Sequence, residues 1–367
     1  MSETKINRKP RSANMDLLRI VSMLLIILLH SIDHSGVLEQ AELSSTTMHL
    51  WVRFTYMLTQ VCVNCYVLIS GYFLVKSKFR LQKLVALWLE VVFYSFTIKL
   101  VFMITGYTSF SIPSLISCFV PVITGRYWFI TIYFGLYLIF PFLNIAINAM
   151  NKRQHTVLNI LLFVLFSVMV SIYPSFAGMN SGGGWGLAWF VVLYFAAAWF
   201  RLYYTSQKKL LALSIWLGLS FIIAVGYVLV GSKIGLIKSF LGNMYRYDSI
   251  AAYIGSLCVL TVFINVKIKA DWINKCITFI APSTLGVYLI HAHASFSPWS
   301  WEFLNLPQYM TSPAFPLVQI GVLLGIYVVC TCIDLLRKYT IGRIETCKLI
   351  LSFCSVIEKK VIRVAKR

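Results

Sequence analysis

Charge is what this sequence has least of. Only 12% of its 367 residues are Asp, Glu, Lys or Arg, and the acidic residues number 12 in all. Soluble domains carry about 25% charged residues, so a water-exposed globular surface is excluded for most of the chain. Apolar residues make up 59% and the mean hydropathy is +0.80, more than a single core buried in water accounts for. Internal repeats and low-complexity tracts are absent, and no polar stretch is long enough for a soluble domain. The nine cysteines are odd in number and fall mostly inside apolar runs (Cys62, Cys65, Cys118, Cys258), which excludes a disulfide framework. Cys62-Val-Asn-Cys65 has zinc-ligand spacing, but no second Cys/His pair completes it, so no metal is expected. Gly182-Gly183-Gly184 is not followed by Lys-Ser/Thr and reads as a flexible outer loop, not a phosphate loop.

What is present is a succession of apolar runs, most of them about 17–25 residues long, the length that crosses a bilayer core. Ten lie near 15–32, 50–75, 84–105, 127–149, 156–173, 187–200, 210–231, 250–266, 276–292 and 315–336. The sixth is short and draws on its flanks. The pattern predicts an all-α polytopic membrane helix bundle: one transmembrane domain over 1–336, then a basic tail over 337–367. The first run follows Lys5, Arg8, Lys9 and Arg11 and so imitates a signal peptide. It contains Asp16, Arg19 and His30 and lacks a small-x-small cleavage site, which predicts a retained helix.

A formal charge of +20 in a soluble protein would point to nucleic acid. Here the cations cluster between apolar runs, which is a topology signal, and no nucleic-acid partner is expected. Of 32 Lys and Arg, 25 fall on one side of a ten-span layout and five on the other (Arg53, Arg126, Lys233, Lys238, Arg246), with Arg19 and Lys99 inside spans. The richer side is expected to be cytoplasmic, with both termini inside, in a multi-pass protein of the cell (inner or plasma) membrane. In the tail, Ile341, Ile344, Leu349, Phe353, Val356, Ile357 and Val361 alternate with Lys and Arg. That alternation predicts an amphipathic basic helix lying on anionic membrane lipids.

Ionisable groups inside a span are costly and mark function. Arg19 and His30 differ by eleven positions, about 1100° of helix, within about 20° of three full turns and about 16 Å along the axis. Both therefore project from one face, with Asp16 three residues before Arg19 and in reach of it. Taken singly, each has a bland alternative: Arg19 snorkelling to lipid phosphates, His30 bonding a neighbouring helix. Trp128 and Arg126 open the fourth span, as interfacial anchors or as sugar contacts. Arg246-Tyr247-Asp248 precedes the eighth as a hydroxyl-binding group or as an Arg–Asp pair at a helix start. His291 ends the ninth span level with His30, and His293 cannot share its helical face. Glu90 and Lys99 are nine positions apart, about 180° around a helix, so they do not pair with each other. Glu90 is expected toward the inner cavity, with a structural or a donor-binding role. Asn64 and Ser70 read as interhelical hydrogen-bonding groups.

The stretch Asn14-Met15-Asp16-Leu17-Leu18-Arg19, then ten residues, then His30, resembles the opening of the acyltransferase 3 family. These are integral membrane O-acyltransferases that modify cell-surface polysaccharides. The resemblance continues in order: Val67-Leu68-Ile69-Ser70-Gly71-Tyr72-Phe73-Leu74 before the basic residues Lys76, Lys78 and Arg80; Arg126-Tyr127-Trp128-Phe129; and Thr284-Leu285-Gly286-Val287-Tyr288-Leu289-Ile290-His291. It implies His30 as the catalytic residue, with Arg19 its partner on the same helix beside Asp16. It also implies a cytoplasmic acyl-CoA donor, usually acetyl-CoA, no permanently bound cofactor, and a cell-surface glycan or lipid-linked sugar acceptor. A neutral imidazole can take the hydroxyl proton as the sugar oxygen attacks the thioester, without a Ser or Cys nucleophile. On this scheme Arg19, Arg80 and Glu90 are donor-side candidates, and Arg126, Trp128, Asp248 and His291 are acceptor-side candidates. The sequence departs from the family in its basic stretch (Lys76, Lys78, Arg80, Lys83), which is less Arg-rich. No esterase-like domain follows the tenth span, so transfer is expected to finish within the membrane unit or to pass to a partner. The alternative is a transporter or flippase of a sugar or lipid intermediate, which buried charges also suit. Against it, the sequence has no matched halves and no Pro/Gly-broken helices in corresponding positions.

Overall fold

A computed structural model describes residues 12–174, 181–340, 352 and 354–358. It is 79% helical and has no strand among the described residues. Ten helices correspond to the ten apolar runs. They are α1 (Ala13–Asp33), α2 (Thr46–Leu74), α3 (Leu81–Ile104), α4 (Trp128–Ala149), α5 (Lys152–Ile172), α6 (Leu187–Tyr203), α7 (Lys209–Gly231), α8 (Ile250–Ile264), α9 (Asp271–His291) and α10 (Phe315–Thr340). Eight are long and apolar enough to cross a membrane; α6 and α8 are shorter, at 17 and 15 residues. Helix α6 is walled in by protein: Trp189, Phe190, Leu193 and Tyr194 are fully buried, and it packs against α2, α4 and α5.

The bundle gathers around α1, which touches both halves of α2 and also α8, α9 and α10. Between helices in lipid, apolar burial gains little over contact with acyl chains, so close packing and buried hydrogen bonds select the neighbours. Gly71 shows the first effect. A Cβ there would lie 2.8 Å from the Ala197 Cβ, so α2 and α6 meet at backbone distance only because the residue is glycine. Asn64 shows the second: its amide donates to the Tyr247 carbonyl at 2.8 Å and accepts from Trp189 Nε1 at 3.0 Å, as its interhelical reading anticipated.

Two helices are interrupted, one of them against the interior cavity. Helix α2 loosens at Gln60–Val61, and α9 passes through a 3₁₀ turn at Ala281–Ser283 that contains Pro282. Irregular backbone at membrane depth is tolerated where it lines a cavity, and Ala281 and Pro282 do so. The two breaks do not occupy matching places in two repeated halves.

At one end α10 carries a knot of charge. Asp334, fully buried, accepts from Tyr94 Oη at 2.8 Å and Arg337 Nε at 3.0 Å, and pairs with Lys338 Nζ at 2.6 Å. Arg337 also reaches Glu90 on α3 at 3.0 Å, and Lys338 donates to Ser283 in the α9 turn at 3.1 Å. Arg337 and Lys338 are thus the last turn of α10, held by Asp334, and not the start of a tail; the helix runs to Thr340. Most of the expected basic tail lies outside the described residues. Its residues 354–358 are helical, and the Glu358 carboxylate accepts from the Leu81 N–H at the start of α3, a favourable place for an anion.

Candidate active site

The sequence stripe on α1 opens onto one cavity of about 420 Å³, within the range of small-molecule sites. Arg19, Lys83 and Leu84 line its end nearest the start of α1. Tyr66, Ser70 and Tyr133 line the middle, and His30, Trp128, Tyr247 and Tyr288 line the far end. Arg19 and His30, one face and three turns apart, therefore share a single enclosure.

Arg19 is held from three directions. Its guanidinium pairs with the buried Asp16 carboxylate and lies 5.7 Å from the Phe73 ring centre, and its backbone carbonyl accepts from Tyr66 Oη at 2.9 Å. The side chain keeps 30% of its surface accessible, so one partner does not exhaust its five N–H donors. Lys83 brings a second cation to the same end. Asp16 itself is not on the cavity wall; its link to the cavity is the pair with Arg19.

At the far end three imidazoles meet. His34, one turn after His30, lies parallel to it with ring centroids 4.7 Å apart and 11° between planes. His291 from α9 stands on another side, 5.1 Å away and tilted by 45°. His291 Nδ1 is 2.6 Å from the Val287 carbonyl; a carbonyl can only accept, so that nitrogen carries the proton and Nε2 is bare. His30 Nδ1 and His291 Nε2 are both buried and without a hydrogen-bond partner. His34, past the end of α1, reaches Ser297 Oγ at 3.4 Å, and burial holds its imidazole below the ordinary histidine range against the pull of Asp33. Among the described residues no group of three or more His, Cys, Asp or Glu is arranged to hold a metal ion.

Aromatic rings close the same end. Trp128, the first residue of α4, stacks on Trp185 at 4.6 Å and 18°, with Tyr247 near-parallel at 6.2 Å. The chain reaches Trp185 through Gly182, Gly183 and Gly184, all at positive φ, a backbone region open mainly to glycine. A Cβ on Gly184 would lie 2.6 Å from Tyr247 Cβ, so the last glycine of the run is packed against the rim.

Four candidates lie elsewhere, each with a local partner. Glu90 is turned to Arg337 between α3 and α10. Arg80 is exposed and precedes α3, where its carbonyl accepts from Tyr137 Oη at 3.2 Å. Arg126 donates to the Ser114 carbonyl and Ser117 Oγ at 2.7 and 2.5 Å, tying down a loop. Asp248 is fully buried, clamped by Arg246 Nε and Nη2 at 3.0 and 3.1 Å and by Ser181 Oγ at 2.6 Å; the Arg–Asp pair at a helix start describes it. Lys83, in the sequence one of the basic residues before the third span, and the tyrosines of the wall are candidates that the sequence does not single out. Phe129, Tyr133 and Tyr137 recur every fourth residue on α4, and all three line the cavity. That stripe of rings, two of them tipped by a hydroxyl, was the available signal.

A family model described as an acyltransferase domain (acyltransferase 3) matches residues 12–335, from the first turn of the central helix to the buried aspartate of α10. No curated protein and no solved structure matches the chain. A membrane helix bundle whose Arg19 and His30 open into one enclosure is thus matched along nearly its whole length, and the chain belongs to the acyltransferase 3 family.

Proposed function

We propose that this membrane acyltransferase transfers acetyl from cytoplasmic acetyl-CoA to a hydroxyl of a cell-surface polysaccharide or lipid-linked sugar, with His30 as general base. The observation that carries the reading is the one cavity with Arg19 at one end and His30 at the other. Arg19 and Lys83 supply cations for the donor's phosphates. The middle, lined by Tyr66, Ser70 and Tyr133, takes an extended arm, and the distance of about 16 Å between Arg19 and His30 along α1 gives that arm room to present its thioester beside the imidazole. The acceptor enters from the aromatic end, where Trp128 and Trp185 offer ring faces to a sugar.

His30 takes the proton of the acceptor hydroxyl as its oxygen bonds the thioester carbonyl carbon. It returns that proton to the sulfur as the carbon–sulfur bond breaks. Base catalysis of this kind contributes about 10²–10⁴-fold. The test is His30→Ala in cells and in purified protein. Surface glycan acetylation, read by mass spectrometry, and release of free CoA thiol should both be lost while the protein still inserts. Wild-type acetylation in that variant would remove the proposed base. A protein that moved a sugar intermediate instead would release no CoA thiol and would show activity only in sealed vesicles.

A further inference from the structure

We infer that His291 is the positioning residue for His30: its bare Nε2 accepts the His30 Nδ1–H and leaves His30 Nε2 as the unprotonated nitrogen that meets the acceptor hydroxyl. The inference rests on His30 being the base. It assigns His291 to the imidazole and not to the sugar.

His291 offers a single bare nitrogen. Its Nδ1 is committed as a donor to the Val287 carbonyl at 2.6 Å, a bond within its own helix that fixes the tautomer. Its Nε2 can then only accept, yet it is buried with no donor in reach of a hydrogen bond. His30 Nδ1 is the complementary case, buried and equally without a partner. The two rings stand 5.1 Å apart between centroids, a spacing that two nitrogens turned toward one another bridge at about 3 Å. Two orphaned buried polar atoms on adjacent rings are costly apart and satisfied together.

The remaining ring contact restricts how His30 can turn. His34 lies flat against it at 4.7 Å, so a large turn about the Cβ–Cγ bond, which tilts the ring plane, would break that stack. A small adjustment of the side-chain torsions that keeps this stack brings Nδ1 toward the His291 ring. A base oriented by a third group is the general arrangement of activated acyl transfer. During transfer the proton gained at Nε2 makes the imidazole cationic, and the His291 lone pair stabilises that cation at Nδ1. The proton then leaves to the thiolate, and Nδ1 keeps its own throughout.

The test uses membranes containing the full chain, acetyl-CoA, and surface glycan extracted from cells lacking the protein. His291→Leu is expected to lower kcat about 100-fold with KM for acetyl-CoA and for the glycan unchanged. His291→Gln, which keeps an acceptor oxygen, should recover to within about tenfold of wild type. Undiminished kcat in His291→Leu overturns the inference, as does a rise in glycan KM with kcat intact, since that marks a substrate contact. Should His291→Leu fail to fold, histidine ¹⁵N spectra of the wild-type protein in nanodiscs decide the matter. Only six histidines are present, and His30→Ala identifies the signal. An Nδ1–H tautomer is expected, and an Nε2–H tautomer overturns the inference. Activity retained in His30→Ala defeats the general-base reading itself; an inactive His30→Ala beside an active His291→Leu defeats only this one.

Discussion

Gly286 of α9 lies against the Asp334 carboxylate of α10 so closely that a methyl group on its Cα would overlap the carboxylate. Five residues beyond Gly286 stands His291, and two before it Thr284 lines the cavity. The contact therefore sets how one wall of the site is seated. Gly286→Ala is expected to cost about 1–3 kcal/mol, the usual penalty for overfilling a packed interior. Asp334→Ala should cost more, about 3–5 kcal/mol, because it leaves Arg337 buried with less of its counter-charge. Thermal unfolding in detergent checks both, and a Gly286→Ala midpoint equal to wild type contradicts the packing argument.

On the proposed route Arg19 takes the donor's phosphates, and Asp16 fixes one side of its guanidinium. Charge-assisted hydrogen bonds contribute about 1.5–3 kcal/mol, so Arg19→Ala should raise KM for acetyl-CoA about 10- to 100-fold and change kcat less. Arg19→Lys should fall between, since lysine keeps the charge and loses the planar fork. An acetyl-CoA titration at saturating glycan separates the outcomes. An unchanged KM in Arg19→Ala would place donor recognition elsewhere.

Trp185 is 52% exposed and covers Trp128 at the rim. Aromatic stacking of this kind contributes about 0.5–1.5 kcal/mol, so Trp185→Ala should raise glycan KM about 2- to 10-fold and leave KM for acetyl-CoA unaltered. The same rise in both constants would mean that the stack shapes the cavity as a whole.

The fold was legible because lipid writes it into the sequence. Ten apolar runs, most of them of spanning length, became ten helices, since a backbone in hydrocarbon has no water to bond and must coil. The stripe of Asp16, Arg19 and His30 was legible for a related reason: positions on one helix follow from its pitch alone. What pitch cannot give is which helices become neighbours. Lys83 looked like a topology charge until α3 placed it beside Arg19. Arg337 and Lys338 looked like tail charges until Asp334 drew them back into α10. Glu90, read toward the cavity, is turned instead to Arg337, because a buried carboxylate one helix away from a buried guanidinium is better satisfied there. Even the right expectation about His291, level with His30, left open whether the rings touch.

Acid should weaken the fold at His293. His293 follows α9 and is built to be neutral: its Nε2 donates to the Ser95 carbonyl at 3.3 Å and its Nδ1 accepts from the Ser295 N–H at 3.0 Å. Protonating Nδ1 would destroy that acceptor. Burial, with the nearby charges of Arg126 and Lys99, lowers its pKa to about 4, against the opposing pull of the Ser95 carbonyl. An unfolded histidine takes up its proton near 6.5, so between 6.5 and 4 the unfolded chain binds more protons than the folded one, and stability falls as pH falls. At about 1.4 kcal/mol per pH unit the contribution of His293 is of the order of 3 kcal/mol, fully present above 6.5 and gone below 4. His293→Gln can donate to Ser95 and accept from Ser295 without titrating. Its unfolding midpoint should therefore decline less than that of wild type between pH 7 and pH 4.5, and equal declines in the two proteins would show that His293 is not the group being forced to ionise.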